Sequence, residues 1–286
     1  MVKSKKFSMK DKKVIILGGS GFLGSAIARQ LGKKAVIADI TEPKSNIENE
    51  FVWLDLLGSS KLDEIINQFD VVINCAGQIT SPINNCLSLN TRGVNRIIKS
   101  LNKFESIRFI HVSTVAVYGT VYYANEGIAV NPESAYSAAK AFAEFILTNY
   151  YKFKPCIIRI PNLYGDSQEK GILAYLKKSL LTDRKLNFDN NGSQLRYYIH
   201  VDDAAEAIIK AIEFDIAGIF NLSTNDRFTI DELISLISGF YQINFDVDFG
   251  SHEPDSNIEN LDGTAFNSLT GFAPTKSLTT YIENML

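Results

Sequence analysis

Six short apolar runs, separated by stretches with apolar residues at helical intervals, constrain this 286-residue chain more than any other feature. The runs are Val14 to Leu17, Ala35 to Ala38, Phe51 to Leu54, Val71 to Cys75, Phe109 to Ser113 and Cys156 to Ile160, and each reads as a buried strand. Between them, Phe22 to Leu31, Leu62 to Gln68, Thr91 to Leu101 and Tyr136 to Tyr150 read as amphipathic helices. Parallel strands joined by helices require right-handed crossovers, so the expectation is an α/β fold: a doubly wound parallel sheet covered on both faces. Hydrophobic residues make up 45% of the chain, enough for such a core. Past Pro161 the pattern loosens. A helical run at Ile172 to Leu181 precedes a polar turn at Asp189 to Gly192, then a strand at Arg196 to His200, a helix at Val201 to Glu213, a strand at Gly218 to Leu222 and a helix at Ile230 to Phe240. We expect a main domain over residues 1–165 and a smaller lobe over 166–286. The segment near 195–224 is expected to return to the main domain, with the strand around Phe220 rejoining its sheet.

Charge excludes some partners. A net charge of −3, with acidic and basic residues mixed throughout, provides no footprint for nucleic acid or an anionic membrane surface. Cys75, Cys86 and Cys156 form an odd set without metal-ligand spacing, which fits a reducing cytoplasm. No metal ligands are apparent: Asp202 and Asp203 stand side by side at a helix start, where carboxylates serve as dipole and capping partners. The basic stretch from Met1 to Lys13 precedes too short an apolar run for a signal or membrane segment, and residues up to about Ser8 read as a frayed tail.

Ligands of such sheets bind beyond the carboxyl ends of the strands, and the informative residues fall there. The first strand runs into Gly18, Gly21 and Gly24, with Phe22 and Leu23 between them, in the turn that opens the first helix. Glycines there let the backbone turn sharply and approach a pyrophosphate, held by amide donors and the positive helix end. This context marks residues 1–165 as a dinucleotide-binding Rossmann domain and leaves the later lobe for substrate. Asp39, ending the second strand, can accept hydrogen bonds from the adenosine ribose diol and repels a 2′-phosphate, so NAD is favoured over NADP; the nearby Lys44 argues the other way. Asp55 can reach an adenine amino group or cap the next helix.

Tyr136 and Lys140, four apart at the start of a helix, share one face. An ammonium near a phenol is expected to lower the phenol pKa from about 10 toward the working range. Such a tyrosine can exchange a proton with a sugar hydroxyl as hydride leaves or rejoins the same carbon, and Thr114, at the end of the strand Phe109 to Val112, can hold the reacting oxygen. His111 reads as a packed core residue, and His200 opens a helix; neither reads as a catalyst. Of Tyr197 and Tyr198, adjacent on a strand, at least one should be core.

Together these motifs resemble the extended short-chain dehydrogenase/reductase family, in its branch of NAD-dependent nucleotide-sugar epimerases and dehydratases. The resemblance covers nearly the whole chain, in order: Gly18 to Gly24, Val72 to Gly77, Asn90 to Gly93, His111 to Gly119, Tyr136 to Lys140, Arg159 to Gly165 and Arg196 to Asp203. It implies Thr114, Tyr136 and Lys140 as the catalytic trio. It also implies Ala76 beside the cofactor, Asn162 at a substrate phosphate and Arg196 gripping a nucleotide diphosphate through its bidentate fork. It implies a homodimer through the helices near Thr91 to Leu101 and Tyr136 to Tyr150. Two departures narrow the reaction. Related 4,6-dehydratases follow the threonine with an Asp-Glu pair, whereas Val115 and Ala116 stand here, which disfavours dehydration. A second phosphate-gripping arginine has no match around Ser251 to Asp255, where only His252 is basic. The leading expectation is a cytoplasmic enzyme of carbohydrate biosynthesis that epimerises C4 of a nucleotide-activated sugar with NAD. The alternatives are a 4-ketoreductase or dehydrogenase that exchanges NAD(P)(H), and a dinucleotide-binding regulatory protein that has lost catalysis.

Overall fold

The computed structural model describes residues 12–44, 47–58, 61–77, 82–252 and 257–286. Seven strands form the central sheet: β1 (Val14–Leu17), β2 (Ala35–Asp39), β3 (Phe51–Trp53), β4 (Val71–Asn74), β5 (Arg108–Thr114), β7 (Cys156–Ile160) and β11 (Gly218–Asn221). They lie in the order β11-β7-β5-β4-β1-β2-β3, and every pairing is parallel. The tail expected up to Ser8 lies outside the described residues.

Side-chain alternation along β1 shows why the sheet is covered twice. Val14 and Ile16 face one core with α1 (Phe22–Leu31) and α7 (Val201–Glu213), which also takes in Phe266 of α9 (Thr264–Thr270). Ile15 and Leu17 face the other, with α2 (Leu62–Ile66), α4 (Val94–Leu101) and α5 (Ala135–Tyr150). Continuously apolar strands are what burial on both faces requires. α3 (Ile83–Ser88) leads into a π-helical turn over Leu89–Gly93 before α4 begins. The turn surrounds Asn90, fully buried, whose amide donates to the carbonyls of Gly77 and Cys86, both at 3.0 Å. A buried side chain bonding the helix backbone in this way accounts for a turn that periodicity alone reads as ordinary helix.

A further core lies beyond the sheet. Leu173, Leu176 and Leu180 of α6 (Ile172–Leu181) meet Ile230, Leu233 and Ile237 of α8 (Ile230–Tyr241) and Leu278 and Ile282 of α10 (Leu278–Glu283). Three short strand groupings lie outside the central sheet: β8 (Asn162–Tyr164) and β12 (Arg227–Phe228) flank β10 (Arg196–His200), β9 (Lys185–Asn190) pairs with β13 (Asp246–His252), and β6 (Val121–Ala124) pairs with β14 (Ile258–Leu261). All but the antiparallel β10–β12 pair are parallel, and they join segments distant in the chain, so no hairpin signal announces them. Asp203, read as a helix-start carboxylate, is buried and accepts from the amides of Thr275 and Lys276 and the hydroxyl of Thr275, so it anchors the C-terminal segment. The helix cap is His200, whose Nδ1 accepts from the Asp202 amide at 3.2 Å. No helix among the described residues is long and apolar enough to cross a membrane.

Candidate active site

β1 and β4 are neighbours, yet the chain leaves them for opposite sides of the sheet, so a crevice opens where their carboxyl ends diverge. A cleft of about 1510 Å³ starts there and runs to Ile172 at the start of α6. Its walls include Gly18, Gly21, Phe22, Leu23, Gly24, Asp39, Asp55, Ala76, Thr114, Tyr136, Asn162 and Arg196. Every residue singled out from the sequence for cofactor, substrate or catalysis is thus on one surface except Lys140, which lies fully buried beneath it.

The glycine turn is shaped by close approach. At Gly18, where φ is +76°, a Cβ would lie 2.8 Å from the backbone nitrogen of Ala76; at Gly24 it would lie 2.7 Å from the Cα of Gly19 and press on the Gly18 carbonyl. Only glycine allows the β1 turn, the β4 end and the first turn of α1 to meet, and this leaves a backbone cradle at the start of α1 suited to a pyrophosphate. Asp39 stands at its edge and accepts from the amides of Ser20 (3.1 Å) and Ile40 (2.7 Å), so the glycine turn itself holds the carboxylate in place. Asp55 accepts from the Leu57 amide at 2.8 Å and also lines the cleft. Lys44, the residue that argued for a 2′-phosphate, pairs with Glu169.

At the sheet's centre, the Thr114 side chain accepts from the Ala116 amide at 3.2 Å and hydrogen-bonds the Tyr136 side chain. Ser134 and Ser137 cap α5 reciprocally, setting where the helix starts and hence where Tyr136 stands. Lys140 donates to the Val112 carbonyl at 2.6 Å, and burial pushes its pKa down to about 8. Here the structure corrects one expectation: burial pushes the Tyr136 phenol upward, Cys86 acts in the same direction, and the Thr114 hydrogen bond only partly opposes them. Desolvation outweighs the opposing hydrogen bond.

Asn162 donates to the Tyr197 carbonyl at 3.1 Å, and Arg196 donates through Nε to Gln194 at 2.9 Å. Tyr197 and Tyr198 are both buried, and only Tyr197 lines the cleft. His111 is buried against Asn74, with 3.1 Å between His111 Nδ1 and Asn74 Nδ2. His252, on β13, bonds the Asp189 carbonyl and is not part of the cleft; residues 253–256 lie outside the described residues. The sequence reading missed Arg29, which lines the same cleft from α1, Gln168, Lys170 and Gln194, which line it from loops, and Ile258, which lines it from β14.

The model of the NAD dependent epimerase/dehydratase family matches residues 14–223. A dTDP-D-glucose 4,6-dehydratase from Dictyostelium discoideum is 30% identical over 255 residues, covering 75% of this chain and 58% of that protein. A putative UDP-glucose 4-epimerase from Methanocaldococcus jannaschii is 29% identical over 248 residues, covering 78% of this chain and 81% of its own. Among solved structures, a UDP-glucuronic acid 4-epimerase from Bacillus cereus superposes with a TM-score of 0.84 at 21% identity, covering 96% of this chain and all of that one. The Thermus thermophilus UDP-glucose 4-epimerase gives 0.83 at 23% identity, covering 95% and 96%. The two superpositions bear on fold, and the family model spans most of the chain. This protein belongs to the NAD-dependent epimerase/dehydratase family.

Proposed function

We propose that the protein is an NAD-dependent epimerase acting at C4 of a nucleotide-activated sugar, with Thr114, Tyr136 and Lys140 as its catalytic trio. The observation that carries this reading is the meeting of the Thr114 and Tyr136 hydroxyls on the same cleft as the glycine cradle, beside Val115 and Ala116. Those two side chains have no proton to exchange, so the place where dehydration needs an acid and a base is inert. The family's NAD dependence and the 4-epimerase relatives support the same choice.

The residues present fit NAD. The cradle at Gly18, Gly21 and Gly24 suits the pyrophosphate, Asp39 the adenosine ribose and Asp55 the adenine end, with Phe22, Leu23 and Ala76 as the adjoining walls. Bound NAD supplies a hydride acceptor at the substrate carbon. Thr114 orients the C4 hydroxyl, and Tyr136 Oη takes its proton and later returns it. The Thr114 hydrogen bond favours the phenolate during oxidation, and Lys140 stands one helical turn away on the same face of α5. Arg196 offers its guanidinium to the diphosphate, and Asn162 an amide to a phosphate oxygen. We also assign a homodimer through α5, whose outer face presents Phe142, Phe145 and Tyr150, and a cytoplasmic location consistent with three buried free thiols.

The test is to denature the purified protein, assay the released dinucleotide, and incubate the holoenzyme with UDP-hexoses while following C4 configuration by proton NMR. Stoichiometric NAD with interconversion and no net NADH is the expected result, and Tyr136→Phe should slow interconversion by about 100- to 10,000-fold. An empty protein that consumes NADPH with a 4-ketosugar would replace this reading with a ketoreductase.

A further inference from the structure

Helix α5 carries a third polar residue in register with Tyr136 and Lys140. Glu144 lies one turn beyond Lys140, on the same face, and only 4% of it is exposed. Its carboxylate accepts from Arg159 Nε at 3.0 Å and from Arg159 Nη2 at 2.6 Å, and from the Ser113 hydroxyl. Ser113 immediately precedes Thr114 on β5, and Arg159 lies on β7. Arg159 Nη1 donates to the Tyr118 hydroxyl at 2.7 Å, and that hydroxyl donates to Asn221 at the end of β11 at 2.8 Å. The network therefore ties the ends of three sheet strands to the helix that bears Tyr136.

Lys140 is a fully buried ammonium and needs a counter-charge nearby. The groups acting on it from surrounding elements are Cys75 after β4, Cys86 on α3 and Glu144 on its own helix, while His111 of β5 faces it. Burial raises the Cys75 thiol to about 12 and raises Cys86 as well, and it holds His111 well below 6.5, so all three are neutral at pH 7. Glu144 is the remaining group, and it favours the charged form of Lys140.

We propose that Glu144, clamped by Arg159, is a positioning residue that keeps Lys140 an ammonium and fixes the Thr114 strand end against α5. A buried ion pair contributes little to stability compared with an apolar replacement, so a role in the site gives this pair a function its energetics do not. The proposal rests on the reading of Lys140 as part of the active site, and its test is independent of turnover. The full-length protein, labelled with ¹³Cε-lysine, is titrated by NMR, and the Lys140 signal is identified by its loss in Lys140→Arg. In the double variant Glu144→Gln/Arg159→Met, which leaves neither charge alone, the Lys140 midpoint should fall by about one unit. Glu144→Asp, with the charge one methylene farther away, should produce a smaller fall. An unchanged Lys140 midpoint in a cooperatively melting double variant overturns the proposal, whatever happens to activity. If the double variant does not fold, Glu144→Asp decides: an unchanged or raised midpoint overturns it. A midpoint that falls as expected in a protein inert toward nucleotide sugars would refute the proposed function and leave the role of Glu144 standing.

Discussion

Thr114 sits where the last residue of a strand can serve the site twice. Its backbone completes β5, while its side chain accepts from the Ala116 amide and bonds Tyr136. That second bond favours the phenolate against a burial effect that raises the phenol's pKa. Thr114→Val should therefore lower kcat and move the acidic limb of the kcat-pH profile to higher pH, because the base form of Tyr136 then requires more alkaline solution. A limb that stays in place would show that Thr114 only orients substrate. Tyr136, Lys140 and the glycines were legible as residues because each rests on a local rule, helical spacing or a turn between strand and helix. The direction of the Tyr136 shift was not legible. It depends on how deeply the phenol is desolvated, which spacing does not reveal.

Elements differ in how far their own sequence specifies them. α1 is predicted over Phe22 to Leu31 and observed over the same residues, since apolar periodicity and a glycine entry agree. α8 has a reciprocal cap from Thr229 and Glu232, yet its last turn contains Gly239, where a Cβ would meet nothing within 4 Å. Gly239→Ala should stabilise the fold by about 0.5–1 kcal/mol, read as a raised thermal midpoint. Gly24→Ala, on the opposite logic, should lower the midpoint and abolish NAD retention, since its Cβ would press on the Gly18 carbonyl. If both alanine variants melt alike, the close-approach argument for the cradle fails. Elements such as β6, β8, β12, β13 and β14 were invisible beforehand: they are two to seven residues long and owe their pairing to partners far along the chain.

For the whole molecule, two of the three histidines couple stability to pH. Burial lowers the pKa of His111 well below its ordinary 6.5 and lowers that of His200. The unfolded chain then binds more protons than the folded one below about 6.5, so stability should rise with pH across that window and be lost as pH falls from 6.5 toward 5. Asp226, raised above 3.8 by burial, acts in the opposite sense nearer that value. Thermal midpoints at pH 7 and pH 5 check this, and equal midpoints would refute it. By itself the sequence determined the class of fold and picked out the glycine turn and the residues of the proposed catalytic trio, because periodicity, glycine geometry and i,i+4 spacing act within a few residues. Only the tertiary structure decided that Lys140 lies under the cleft rather than in it, that Asp203 anchors the C-terminal segment, and that Glu144 and Arg159 meet behind Thr114. Those outcomes depend on desolvation and on contacts between strands and helices far apart in the chain, and no local pattern encodes either.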